Sequence, residues 1–105
     1  MPLSEKESIG NSVYLKVSGE MSADQVLILE KEFEKEMAEL PSGANLVLDL
    51  RTVIRIDSRG ISLCVGLYKE CEKRNIAFSI EAGAESFRIL TQIKLDKIIK
   101  IQEKH

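Results

Sequence analysis

The chain has 105 residues, 44% of them hydrophobic and 30% charged, with a formal net charge of −2 and two prolines. That is the length of one domain, apolar enough to close a core without disulfides or metals and too apolar for a disordered chain. The charge leaves no basic stripe for nucleic acid. No apolar run approaches the roughly 20 residues of a membrane span, and no signal-peptide core follows Met1, so a soluble, cytoplasmic protein is expected.

Leu3 to Ile9 predicts a weak first strand, diluted by Ser4, Glu5, Lys6 and Glu7. After a turn at Gly10-Asn11, Val13, Leu15 and Val17 alternate with polar residues, predicting a hairpin with one buried face. Ser22 is placed to cap a helix over Ala23–Leu40, whose Val26, Leu29, Phe33, Met37 and Leu40 form one inward stripe. Its acidic outer side reads as a solvated face, and Pro41-Ser42-Gly43 ends it. Leu46 to Leu50 predicts a strand buried on both faces of a sheet. Ile61 to Arg74 follows as a helix, with Ile61, Cys64, Val65, Tyr68 and Cys71 inward and Asn75 as its stop. Ile76–Ile80 is a further strand, and Ala84–Ile93 a third helix with Phe87, Leu90 and Ile93 inward. Ile98–Ile101 is a last strand, and residues 102–105 read as a frayed tail. This order predicts one α/β domain over residues 1–105: a mixed sheet of about five strands, its N-terminal hairpin antiparallel and the rest parallel, with three or more helices.

Cys64 and Cys71 are seven positions apart on the second helix, about 10 Å along its axis. A disulfide spans roughly 4.4–6.8 Å between Cα atoms, so the thiols read as small buried hydrophobes of a reducing compartment. The sole histidine is His105. With no His–Cys or His–carboxylate cluster, neither a metal site nor a cofactor is expected.

The chemistry gathers at Asp57-Ser58-Arg59-Gly60, between strand and helix. One reading is capping: the first N–H groups of a helix need acceptors, and Asp or Ser supplies one. A catalytic serine is disfavoured, because no base and no Gly-x-Ser-x-Gly elbow accompany it. A P-loop is absent. The other reading is a switch. Phosphate on Ser58 would add about −1.5 to −2 charges beside the helix N-terminus, where free N–H groups hold an anion. It would disturb any partner docked there, with Asp57 sharpening the repulsion and Arg55 and Arg59 easing it. On a helical wheel Leu63 and Gly66 fall toward solvent, where an outward glycine lets another chain approach closely.

With its Asp57-Ser58-Arg59-Gly60-Ile61 helix opening after the Leu46–Leu50 strand and its Asp49, the chain resembles the STAS domains of bacterial anti-sigma factor antagonists. The Gly19-Glu20 turn and Leu95-Asp96 extend the likeness over nearly the whole chain. The resemblance implies a protein that is not an enzyme. Unphosphorylated, it binds an anti-sigma factor with serine kinase activity and so frees a sigma factor. Phosphorylation of Ser58 breaks that complex, and a metal-dependent serine phosphatase resets it. The expected partner surface comprises Asp57, Arg59, Gly60, Ser62, Leu63 and Gly66. Three departures stand out: Arg59 replaces a frequent second Ser or Thr, Ser62 replaces a common glycine, and the chain stops where many members add a helix. An alternative keeps the fold without the switch, as a subunit of a lipid-transport ABC system or a stress-complex scaffold.

Overall fold

Strand alternation and parallel register together decide where everything else sits. The computed structural model describes residues 3–104. β1 (Ser4–Ile9) and β2 (Ser12–Met21) pair antiparallel around Gly10, whose φ of +61° favours glycine. β3 (Asn45–Ile56), β4 (Ala77–Ala82) and β5 (Lys100–Glu103) continue the sheet in parallel, in the order β1-β2-β3-β4-β5. The crossovers are α1 (Ala23–Ala38), α2 (Ser58–Lys73) and α3 (Ala84–Gln92). The mixed five-stranded sheet and three helices match the architecture expected from the sequence.

Register aligns the core in rows. Leu15, Leu48, Ile80 and Ile101 lie side by side across β2 to β5, and Leu50 lies beside Ala82. These residues join Leu29, Phe33 and Met37 of α1, Cys64, Leu67 and Cys71 of α2, and Leu90, Leu95 and Ile99 in one apolar cluster. Leu46, Leu48 and Leu50 have no exposed surface, so truncating any one to alanine should cost roughly 2–5 kcal/mol. The opposite face is polar in β2 to β4, carrying Tyr14, Lys16, Asn45, Asp49, Ser79 and Glu81 around the buried Val47. Asp49 is buried there because Arg51 serves it three times, through its backbone N–H, Nε and a terminal guanidinium nitrogen, at 2.9–3.1 Å. Burial pushes its carboxyl up, and the bonds from Arg51 outweigh that and hold it below the usual aspartate value.

The acidic side of α1 is not wholly solvated. Glu32 accepts from the N–H groups of Leu3 and Ser4, each at 2.9 Å, and from the Ser4 hydroxyl, while Lys6 reaches Glu36 and Glu39. These contacts fasten the polar strand β1, which contributes little to the core.

Five differences from the sequence expectation have plain causes. Ser22 stands at the N-cap of α1, but its side chain makes no cap bond. The buried arc of α2 is wider than expected, because the helix packs against α1 as well as the sheet. Leu63, expected outward, is therefore buried, along with Leu67, while Ile61, Val65 and Tyr68 are only partly covered. Ile93 is exposed: α3 ends at Gln92, and Lys94 turns left-handed. A 3-10 turn over Leu95–Lys97 takes Ile98 out of the last strand, because the Ile99 N–H bonds back to the Leu95 carbonyl; Ile98 is exposed and Ile99 buried. β5 consequently starts at Lys100 and includes Gln102 and Glu103, where a frayed tail was expected, and Lys104 N–H bonds to the Ala82 carbonyl. His105 lies outside the described residues.

Candidate functional site

Parallel pairing runs on between β2 and β3 until Met21 lies beside Ile56, with irregularities near Val17 and between Gly19 and Glu20. Two neighbouring strands thus end together, and the helices that follow them start together. Ser22-Ala23 opens α1 directly beside Asp57-Ser58, which opens α2. Ligand and partner sites of α/β folds commonly lie beyond such carboxyl ends of strands.

Asp57 holds both starts. Its Oδ1 accepts from the N–H groups of Arg59 and Gly60, each at 3.0 Å, and its Oδ2 accepts from the N–H of Ala23 at 3.0 Å. The hydrogen bond from Gly60 is the main reason its carboxyl lies below the usual aspartate value. Partial desolvation opposes this, and Ala23, Arg59 N–H and the Arg59 charge reinforce it. Ala23 pays for its position: its φ is +40°, a left-handed conformation that costs an L-residue about 1–2 kcal/mol. Gly60 has the reverse constraint. A Cβ there would meet the Met21 carbonyl oxygen at 2.2 Å, so only glycine lets α2 start this close to the end of β2.

Because Asp57 is the cap, Ser58 is not needed as one. Ser58 is exposed at the first position of α2, and its hydroxyl makes no hydrogen bond among the described residues. Arg59 is exposed beside it, and Arg55 stands 3.9 Å from Glu20 at the surface. The free N–H groups expected to receive an anion are fewer than the sequence implied, since those of Arg59 and Gly60 are already bonded to Asp57.

Between the helices lies an open groove of about 540 Å³. From α2 it is lined by Ser58, Arg59, Ser62, Leu63 and Gly66, and from α1 by Ala23, Val26, Leu27 and Glu30. The structure therefore brings together four of the six residues expected at the partner surface, Arg59, Ser62, Leu63 and Gly66, beside Ser58, with Leu63 at the groove while otherwise buried. Gly60 lies beneath, and half-buried Asp57 acts through the two helix starts. A Cβ added to Gly66 would meet nothing within 4 Å, so its small size is not demanded by the chain's own packing. The α1 wall was missed. Its signal was available: Leu27 and Ile28 fall off the Val26–Leu29–Phe33 stripe and are 62% and 49% exposed, as apolar residues with no place in the core.

A family model for the STAS domain matches residues 4–105. The chain belongs to the STAS-domain family. Among solved structures, this STAS domain is similar to an anti-sigma factor antagonist from Mycobacterium paratuberculosis, with a TM-score of 0.84 and 24% identity over 94% of this chain and 83% of that one. It is also similar to a Thermotoga maritima protein assigned as an anti-sigma factor antagonist, with a TM-score of 0.78 and 19% identity over 97% and 86% of the two chains. At these identities the likeness is one of fold. No curated protein matches the sequence. Among the described residues, no helix of the STAS domain is long and apolar enough to cross a membrane.

Proposed function

We propose that this STAS domain is an anti-sigma factor antagonist whose partner binding is switched by phosphorylation of Ser58. The observation that carries the reading is the spare hydroxyl: Ser58 is exposed, unbonded and at the rim of a partly apolar groove, while Asp57 does the capping. In this reading an anti-sigma factor with serine kinase activity docks over Ser58, Arg59, Ser62, Leu63 and Gly66 and the facing wall of α1. The Ser58 oxygen bonds to the γ-phosphorus of ATP, the bond to the ADP oxygen breaks, and the hydroxyl proton passes to a base of the kinase. A metal-dependent phosphatase hydrolyses the ester, returning the serine and inorganic phosphate. The chain itself supplies an acceptor and a surface, in the cytoplasm, and performs no catalysis.

The effect on binding follows from charge. A phosphate brings about −1.5 to −2 charges to a rim where Val26, Leu27 and Leu63 offer apolar contact. A partner seated there must desolvate it or withdraw. Incubation with the cognate kinase and ATP, followed by peptide mapping, should place phosphate on Ser58. Phosphate elsewhere, or none with an active kinase, would overturn the proposal. Ser58→Ala should retain partner binding, and Ser58→Asp should weaken it on the order of tenfold or more; equal affinities would remove Ser58 from the interface.

A further inference from the structure

The Asp57 carboxylate is shared between two helices, and its two obligations differ in stiffness. On the α2 side, Gly60 is set against the Met21 carbonyl with no room even for a methyl group, and Asp57 N–H bonds to that same oxygen at 3.3 Å. On the α1 side, the Ser22 side chain supplies no cap, Ala23 is left-handed, and its N–H is held by Asp57 Oδ2. A disturbance of Asp57 is therefore absorbed by the first turn of α1 and not by α2.

Phosphoserine at position 58 is such a disturbance. It would stand one residue from Asp57 and compete for the same donors, because the N–H groups of Arg59 and Gly60 are already bonded to Asp57 Oδ1. Two anions cannot share those donors without mutual repulsion. The charges facing the junction divide in sign: Arg55 and Arg59 attract a phosphate, while Asp24 in the first turn of α1, Glu20 and Glu30 do not favour more negative charge.

We propose that phosphorylation of Ser58 unlatches α1: the phosphate displaces the Asp57 carboxylate, Asp57 releases the Ala23 N–H, and the first turn of α1 relaxes. The wall formed by Ala23, Val26 and Leu27 then shifts, so the modification alters the shape of the groove as well as its charge. The inference rests on the reading of Ser58 as the regulated residue, but its test does not require the kinase. Phosphoserine is incorporated at position 58 during translation, and amide hydrogen exchange is followed by NMR in the otherwise unchanged chain.

Exchange at Ala23 should rise on the order of tenfold relative to the unmodified protein, the scale of one lost hydrogen bond, while Leu48 in the sheet stays as it was. Unphosphorylated Asp57→Ala should release Ala23 by a similar factor, and phosphoserine should add nothing further in that background. If Asp57→Ala fails to fold, Asp57→Ser makes the same comparison, since a serine caps α2 without serving both helices. Unchanged Ala23 exchange in the phosphoprotein, or an equal phosphate effect with and without Asp57, would overturn the latch. Loss of partner binding with Ala23 unmoved would discard the latch and keep the switch; release of Ala23 in a protein the kinase never modifies would do the opposite.

Discussion

Two helices of this domain begin at the ends of neighbouring parallel strands, each with a glycine and a serine, and they use them in opposite order. At α2 the cap is Asp57, Ser58 is exposed, and Gly60 lies under the end of β2. At α3 the cap position is Gly83, where an added Cβ would meet the Arg51 carbonyl oxygen at 2.4 Å. Its serine, Ser86, is buried, accepting from the Gly83 N–H at 3.0 Å and lying 3.2 Å from the Leu50 carbonyl. One serine is consumed by the fold and the other is left over. What separates them is the cap: an aspartate whose two oxygens satisfy three N–H groups leaves its neighbouring hydroxyl without structural duty, whereas a glycine cap has no side chain and draws a later serine inward.

The largest test of this pairing is in the glycines. Gly60→Ala and Gly83→Ala should each destabilise by about 3 kcal/mol, since the obstructing atoms are backbone oxygens. A mild effect at either, measured by denaturant unfolding, would mean that helix can start further from its strand. Next come the serines. Ser86→Ala should cost about 1–2 kcal/mol, leaving a buried N–H and carbonyl short of a partner, while Ser58→Ala should change stability by less than about 0.5 kcal/mol. Comparable losses at both would erase the distinction. Gly66→Ala should stabilise the free domain by about 0.5–1 kcal/mol, because the methyl enters open space on a helix, yet it should weaken partner binding if the groove is the docking surface.

Acid should separate the two helix starts most gently. Asp57 lies below its ordinary value of 3.8 in the fold, so its stabilising contribution is complete above that value and is lost as pH falls through the folded value beneath it. The amide shifts of Ala23, Arg59 and Gly60 should move together below pH 3.8, and that of Gly83, bonded to a hydroxyl, should not follow them. The other lowered carboxyls, Asp49 and Glu32, lose their contributions in the same direction, from 3.8 and 4.5 downward.

Much of the fold was legible because its signals are local and periodic. Val26, Leu29, Phe33 and Met37 mark α1 by spacing alone, the β2 alternation gives its buried face, and the left-handed Asn75 does end α2. The wheel for α2 failed at Leu63 because it assumed one burying neighbour, whereas the helix has a sheet below and α1 alongside. The site was legible as a stretch, Asp57 to Gly66, but not as a place. That Asp57 would reach across to Ala23 depends on Met21 pairing with Ile56, a contact between residues far apart in sequence. The α1 wall was hidden for the same reason, although Leu27 and Ile28 were already unexplained by the core stripe.

The unequal reach of the strands has a further consequence. β4 stops opposite Leu50, while β3 continues through Ile56 with β2 on one flank, an overhang of about 20 Å at the rise of an extended strand. α3 starts at the base of this overhang, with Ser86 bonded to the Leu50 carbonyl and Gly83 against that of Arg51. Ser58 thus follows a projecting strand flanked by β2, ahead of the carboxyl end of β4. A kinase cleft can enclose its hydroxyl without parting any strand. If Ser58 is phosphorylated as proposed, the hydrogen bonds of the sheet need not open for the modification or its removal.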